Sequence, residues 1–467
     1  MAVAELEALS GLIDQMLKRL DKQAAQHRLL DRYYEGSCAL PPAIKAARIT
    51  RAYRLLMPVA GAPWGSLIVD TVQDRLEPTG IRSEDREADR AVWRIWQANQ
   101  MDAEVKLALN STLISGRSYV TVWPRRGRPQ ITLDSPEQMV VLYAEGSRRE
   151  RVAALRRWVD DADRTQITVH LPRYSLKLQE AQQQSNETIS AGGTLWEPRP
   201  SEGVEWVVEN PWNVVPVVEI GTNRRLKPGT WAYARGEYEH CLALIDRINL
   251  LTFLGLVVAF WMGFPLRVVI GEKILRDDKG NLIPPFDAHA SGLAQLEDPN
   301  VKLDQYDAAD RDNLAIDPEL NQLAALTKTP RTNFPIRGDI SNVSADAIRA
   351  LSGGLYAKVG GIHKPFIGEG LEGVLRLCGL MSEDEIIVPP AAQLQWADHE
   401  SRSLAERSDA FTKLAARLPW QAAAELGLSA TSEQISRWEA QFSGSAFATL
   451  LSGAREPARL TPALSDL

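Results

Sequence analysis

The chain has 467 residues, 45% of them hydrophobic and 24% charged, the make-up of a globular protein with a large core and room for two to four domains. Its net charge of −7 argues against a protein that grips nucleic acid by massed phosphate contacts, which need a Lys/Arg excess or a dense basic patch. Any contact with DNA is therefore expected to be loose and local. Cys38, Cys241 and Cys378 have no CxxC spacing, so neither a disulfide framework nor a zinc site is expected. Cys241 and Cys378 lie in apolar runs and read as small core residues.

Residues 1–20 mix charges with leucines and lack the unbroken apolar run of a signal peptide. Leu6, Leu9, Ile13, Leu17 and Leu20 recur at steps of three and four, which predicts one apolar stripe on a charged helix. Pro63 opens a second helix carrying Trp64, Leu67, Ile68, Val72 and Leu76, proline being favoured at a first helical position. A third helix holds Val92, Trp93, Ile95 and Trp96, and a fourth covers about 103–114 and stops at Gly116. The period then changes to that of strands. Strands are expected at 119–123, 130–133, 139–143, 153–159, 166–171, 174–178, 205–208 and 215–220, and the polar stretch 180–203 reads as a loop or a long disordered hairpin tip. Helices followed by a β-rich layer give an α+β arrangement.

The most telling stretch is 236–263, predicted to be one long helix. Its first half is amphipathic through Glu239, His240, Asp246, Arg247 and Asn249, while from Leu250 onward it is apolar nearly all round. Such a surface must be covered on every side, and a ring of subunits does this as well as a core. Residues 248–266 carry no formal charge and meet the length of about 18 apolar residues used for membrane spans. Against a span stand Asn249, Thr252, Gly255, Gly263 and Pro265, with Asp246 and Arg247 just before it and no flanking Lys/Arg cluster.

Residues 266–270 and the turn Asp277-Asp278-Lys279-Gly280-Asn281 predict a small β-hairpin module, followed by the acids Glu297, Asp298, Asp304, Asp307, Asp310 and Asp312. A short helix at 318–326 places Leu320, Leu323 and Leu326 at core spacing. The loop after it carries Lys328, Arg331, Asn333 and Arg337. A helix from 345 to about 380, apolar at Ile348, Leu351, Leu355 and Val359, is expected to kink or break at Gly353-Gly354, Gly360-Gly361 and Pro365. The C-terminal part reads as helical, with Leu404, Ser408, Phe411, Ala415 and Leu418 on one face and Thr431 with Gln434 as a capping box. The tail beyond 452 is expected to be disordered.

Signals for catalysis are poor. The six histidines lack HExxH spacing, and no P-loop, GxGxxG or GxSxG occurs. The acidic run has no EF-hand order, and a charge run usually marks a solvated surface. No enzyme, metal site or cofactor is expected.

The order of segments then becomes informative. Helices, a β-rich lobe, a long apolar helix, a small module, a returning helix, a loop, a kinked helix and a helical C-terminus follow one another. This resembles the portal proteins of tailed double-stranded DNA phages. Local strings resemble the branch found in phages of actinobacteria: Leu113-Ile-Ser-Gly-Arg-Ser-Tyr-Val-Thr-Val-Trp-Pro124, and Asn210-Pro-Trp-Asn-Val-Val-Pro-Val-Val-Glu219 followed by Asn223. Further on come Gly236-Glu-Tyr-Glu-His-Cys-Leu-Ala-Leu-Ile-Asp-Arg-Ile-Asn249, Ser341-Asn-Val-Ser-Ala-Asp-Ala-Ile-Arg349, and Ile386-Ile-Val-Pro-Pro390 with Trp396. The similarity spans about 29–442.

The resemblance implies a mainly helical α+β portal fold of wing, stem, clip and crown, assembled as a ring that is dodecameric in the virion. It implies a wing at 1–230, a first stem helix at 231–264, a clip at 265–313 and a second stem helix at 314–326. A tunnel loop at 327–343, a kinked helix returning through the wing at 344–400 and a crown at 401–452 complete the assignment. Leu250, Leu254, Val258 and Trp261 would form the subunit interface of the stem. Lys328, Arg331, Asn333 and Arg337 would meet passing DNA, and the acids from Glu297 to Asp312 would repel DNA or bind the adaptor. Implied partners are other copies of the chain, double-stranded DNA, the terminase large subunit, a head–tail adaptor, and the major capsid and scaffolding proteins. No membrane is implied; the setting is the capsid portal vertex, and the host cytoplasm during assembly. The alternatives are another ring-forming virion adaptor, or a membrane-anchored protein using 248–266.

Overall fold

A computed structural model describes residues 3–37, 58–147, 149–185, 188–199, 205–227, 230–263, 267–270, 293–296, 316–335, 345–400, 402–430 and 432–443. In chain order the elements begin with α1 (Val3–Tyr34), α2 (Trp64–Gln73), β1 (Pro78–Arg82), α3 (Arg86–Ala98) and α4 (Met101–Ser115). The strands β2 (Arg117–Arg125), β3 (Arg128–Asp134), β4 (Met139–Tyr143), β5 (Arg151–Val159), β6 (Thr165–His170) and β7 (Tyr174–Glu180) follow. Next come β8 (Ile189–Ala191), β9 (Thr194–Pro198), β10 (Val207–Glu209), β11 (Val217–Gly221), β12 (Arg225–Lys227) and β13 (Thr230–Tyr233). The chain continues through α5 (Leu242–Gly263), β14 (Arg267–Ile270), β15 (Leu293–Leu296), α6 (Asp317–Thr327), α7 (Ala345–Lys358) and α8 (Lys364–Leu380). It closes with β16 (Gln393–Trp396), α9 (Leu404–Ala415), α10 (Trp420–Leu428) and α11 (Ser432–Ser443).

Two compact units divide this chain. The first takes Met1–Gln73, Glu104–Val122 and Ile131–Gly370; the second takes Asp74–Ala103, Trp123–Gln130 and Leu371–Leu467.

In the first unit, the apolar stripe of α1 is the lid of a β core. Ile13, Met16, Leu17 and Leu20 are buried against Val140, Leu155, Ile167, Leu176 and Trp196 of a seven-stranded antiparallel sheet ordered β4-β5-β6-β7-β9-β8, with β10 on β7. Because successive strand residues point to opposite faces, Met139 and Val141 of β4 turn away from α1. They join Tyr119, Ala154, Val215 and Val217 in a second cluster, supplied by the sheet β11-β2-β3. A strand buried on both faces must be apolar throughout, which is why β4 reads Met-Val-Val-Leu-Tyr without alternation.

In the second unit, β1 pairs antiparallel with β16. Helix α3 leaves this ribbon through a cap in which Asp85 accepts from the backbone N–H groups of Glu87 and Ala88. Helix α9 starts at a capping box, Ser403 accepting from the Glu406 N–H and the Glu406 carboxylate accepting from the Ser403 N–H. The box expected at Thr431 lies outside the described residues.

Several expectations need correction. The stretch 180–203, expected as a loop or a disordered hairpin tip, holds an ordered hairpin: Ile189, Ala191 and Trp196 are buried, and Gly192 and Gly193, both at positive φ, turn β8 into β9. The long helix starts later than 236. Residues 230–233 form β13, and a 3₁₀ turn at Glu239–Cys241 leads into α5. Gly236 lies before the helix, packed so closely on the end of α4 that a Cβ there would be 1.9 Å from the Ile114 carbonyl oxygen. In the module after α5, β14 pairs in parallel with β15, and the turn expected at 277–281 lies outside the described residues. Helix α7 passes unbroken through Gly353-Gly354, and the irregularity falls at the other expected glycine pair, Gly360-Gly361, within a π-turn at Val359–His363. Pro365 follows the π-turn directly within a helical run that is continuous from 345 to 380, where it offers no N–H to the ladder.

Some apolar positions are not core in the subunit. Leu326 is 49% exposed while Leu320 and Leu323 are buried; Ile348 and Leu351 are exposed while Leu355 and Val359 are buried. The face expected from Leu404 to Leu418 is largely exposed, and Pro419 separates it from a further helix, α10. The strands β1 and β16 had no expected counterpart: β1 carries Pro and Gly, and β16, although it alternates Gln-Leu-Gln-Trp, is only four residues long. Cys241 and Cys378 are buried, as read, and burial pushes their thiols up to about 11 and about 12 respectively.

Candidate functional site: a buried junction beneath the apolar helix

Helix α5 has a fastened foot and an open upper half. Near its start, the Tyr33 hydroxyl of α1 donates to Asp246 at 2.8 Å. Arg247 reaches across to α6, lying 3.1 Å from Glu319 and donating to Gln322 at 2.7 Å. Beyond Asn249 the side chains are apolar apart from Thr252, which bonds its own backbone at Ile248. Leu250 and Val258 are half-buried and Leu254 is 38% exposed. Of the stretch Glu239–Ala259, which is long and apolar enough to cross a membrane, only 33% is buried within the subunit. The side chain of Trp261 lies outside the description.

Helix α6 runs back beside α5 and ends at Lys328, a non-glycine residue in the left-handed conformation (φ 55°, ψ 29°). Its amide closes the helix on the Ala324 and Ala325 carbonyls. The chain then folds against the helix it has left. Arg331 donates to Asn321 at 2.5 Å, to the Pro335 carbonyl at 3.1 Å and to Asp317 at 3.3 Å. Its guanidinium lies 6.0 Å from the ring of Phe334, which stacks on Trp64 at 6.1 Å. Asn333 donates to Thr71 at 3.1 Å. Arg331 and Asn333 thus anchor the base of the expected tunnel loop, and Lys328 is exposed beside them. Arg337 and the acids Glu297, Asp298, Asp304, Asp307, Asp310 and Asp312 lie outside the described residues.

Below these helices sits a cluster that sequence reasoning missed. Glu237 is 3% exposed. One carboxylate oxygen accepts from Lys358 Nζ at 2.7 Å; the other lies 3.1 Å from His363 Nε2 and accepts from Asn223 at 2.5 Å. Lys358 also donates to the Thr327 carbonyl, the last of α6, at 2.6 Å. His363 Nδ1 is 2.7 Å from the Thr222 hydroxyl, and the Glu237 N–H donates to the Leu113 carbonyl. Burial by itself pushes the Glu237 carboxyl up, but the His363 and Lys358 groups beside it prevail and hold it well below the usual carboxylate range.

The π-turn explains how two side chains of one helix reach the same carboxylate. At α-helical pitch, residues five apart lie about 140° apart around the axis. A π-turn closes i to i+5, as the Lys364 N–H to Val359 carbonyl bond does here, and stacks Lys358 and His363 on one side. The signal in the sequence was Gly360-Gly361 between a lysine and a histidine, read only as a kink. Glu237 and Asn223 were seen as members of local strings, without a partner. No group of three potential ligands stands ready for a metal ion among the described residues. The junction is a structural fastening that joins the end of α4, the entry to α5, the end of α6 and the π-turn.

The family model for phage portal protein, SPP1 Gp6-like, matches residues 13–444. The chain belongs to that portal family. The portal protein of Mycobacterium phage D29 is 30% identical over 455 residues, covering 91% of this chain and 87% of that protein. The portal protein of Mycobacterium phage L5 is 27% identical over 429 residues, covering 88% and 83%. Among solved structures, the neck of the native gene transfer agent particle with C12 symmetry is similar at a TM-score of 0.42 and 13% identity, covering 80% of this chain and 93% of that one. The neck of the empty particle gives the same TM-score at 11% identity, covering 79% and 90%. The portal assignment accords with the α+β elements above and places this chain in a family of structural proteins.

Proposed function

We propose that this portal-family chain assembles into a closed homo-oligomeric ring, twelve subunits in the virion, at one capsid vertex, and that double-stranded DNA passes through its central channel. In this reading α5 and α6 are the two stem helices and the segment between them is the clip. The loop after Lys328 is the tunnel loop, the helix pair α7–α8 returns through the wing, and the helices from α9 onward form the crown. Leu250, Leu254, Val258 and Trp261 meet neighbouring subunits. Lys328 and Arg337 brush phosphates, with Arg331 and Asn333 fixing the loop that carries them, and the acids of the clip keep DNA from adhering or receive the adaptor. Terminase would dock during packaging and the head–tail adaptor afterwards, with capsid and scaffolding proteins around the ring and assembly in the host cytoplasm.

The observation that carries this reading is the division of α5. Its polar foot is tied within the subunit by Asp246 and Arg247, while its upper half leaves Leu254 uncovered. An apolar surface of that kind calls for a partner. The helix also meets the length and composition of a membrane span, so the same observation supplies the rival. Light scattering on protein purified without detergent separates the two: rings of roughly 600 kDa, about twelve times the 51.8 kDa subunit, support the portal ring. Solubility only in detergent supports an anchor.

A further inference from the structure

The tip of the β2–β3 hairpin, which belongs to the second unit, carries a charge that the channel reading does not use. Arg126 and Gly127 join the two strands, with Arg125 and Arg128 at the strand ends. Both turn residues have positive φ, 54° and 78°, as in the tight hairpin turn that matches the twist of its strands. Glycine takes that backbone freely, whereas an ordinary side chain at 126 is crowded there, and Asn or Asp is the usual occupant. The turn therefore does not account for an arginine at 126. Nor does it call for Arg125 or Arg128, and all three side chains are exposed.

The tip is held from two sides. Pro129 is buried, and its carbonyl accepts from the Asn99 side chain at the end of α3, 3.0 Å away. The Glu383 carboxylate lies against the turn, since a Cβ on Gly127 would be 1.9 Å from its Oε1. Even so, among the described residues none of the three guanidinium groups makes a hydrogen bond, an ion pair or a ring contact. Glu383 shares its exposed turn with Asp384 and Glu385, so the positive field is confined to the tip itself. A polyanion can meet that tip end-on but gains nothing by lying along the acidic turn.

The composition of the tip selects the partner. It offers guanidinium groups and a glycine, and no apolar side chain from 125 to 128. Protein partners anchor on aromatic and aliphatic contacts that exclude water, which this tip does not supply. Phosphates need no such anchor: arginine forks fit their oxygens two at a time, and contacts of this kind give affinity without reading sequence.

We propose that the tip formed by Arg125, Arg126 and Arg128 is a sequence-independent contact for the phosphate backbone of double-stranded DNA, made by residues other than the loop after Lys328. The contact does not require the ring reading, which light scattering tests separately.

The test uses full-length protein and fluorescence anisotropy with three labelled probes: an AT-rich duplex, a GC-rich duplex and a polyglutamate peptide. Wild type should bind both duplexes alike, more weakly as salt rises, and the peptide far less. Glutamine at the three positions (Arg125→Gln, Arg126→Gln, Arg128→Gln) should weaken duplex binding about tenfold or more. It should also flatten the slope of log affinity against log salt by about 2–3. Lysine at the same positions keeps the charge and should retain most of the affinity and the slope. Both variants should keep the wild-type melting temperature, because the three side chains are exposed. The proposal is overturned if wild type binds neither duplex, or if the glutamine protein binds with unchanged affinity and slope. A lysine protein that loses as much as the glutamine protein also overturns it. So does a peptide that binds as tightly as the duplexes and is lost with them; the tip would then serve an acidic protein.

Discussion

Replacing Lys358 by Met leaves the foot of α5 without its central cation while keeping much of the side-chain volume. The Glu237 carboxylate, 3% exposed, loses the ammonium 2.7 Å away, and the Thr327 carbonyl loses its donor at 2.6 Å. Breaking a buried ion pair by removing one partner destabilises by about 3–5 kcal/mol, because the other charge stays buried. Domains of about 150–250 residues lose about 2–4 °C of melting temperature per kcal/mol and a larger unit such as this one loses less, so Lys358→Met should melt about 5 °C below wild type. Hydrogen exchange should accelerate at the end of α6 and around Asn223. Adding Glu237→Leu should recover a large part of the loss, since removing both partners is far less harmful than removing one. A Lys358→Met protein that melts within 2 °C of wild type, with unchanged exchange around Thr327, would refute the junction as a fastening.

The same cluster sets an acid limit. Because the Glu237 carboxyl is depressed in the folded chain, its contribution is fully present above the ordinary value near 4.5 and is lost as pH falls towards its folded value. Wild type should therefore lose more stability than Glu237→Gln between pH 5 and pH 3 in chemical denaturation; parallel curves would contradict this. Gly236→Ala drives a Cβ against the Ile114 carbonyl and should cost about 1–3 kcal/mol in the same assay. Leu254→Asp should leave the subunit folded by circular dichroism but prevent the ring from forming in sedimentation, because an unpaired carboxylate in an apolar interface is expensive. Alanine at Lys328, Arg331 and Arg337 together should reduce DNA filling in a packaging assay, with normal filling counting against any phosphate contact by this loop.

How much of this was legible from the residues differs by element. Periodicity located α1, α4 and the β4–β7 strands because their buried faces are continuous and local: each is filled by residues of its own element at fixed spacing. It failed at β8–β9, where polar residues surround three buried apolar positions, and at β1–β16, whose pairing joins segments more than 300 residues apart. The foot of α5 was misplaced for a related reason. The backbone at 236–237 is tied to the end of α4, the Glu237 N–H on the Leu113 carbonyl and Gly236 close against the Ile114 carbonyl, contacts across the fold that no local pattern reveals. The apolar half of α5 could be read as needing cover, but its partner could not, since only the fold shows that the subunit leaves Leu254 38% exposed while Leu250 and Val258 are half-buried. The junction was the least legible feature. Glu237, Lys358 and His363 are ordinary residues until a π-turn puts two of them on one side of a helix.

The portal reading stands or falls on the ring. Electron micrographs of the detergent-free, full-length protein viewed down the particle axis should show closed rings with an open central hole. Wild-type protein that remains a folded monomer at high concentration, or forms particles without a central opening, would contradict it.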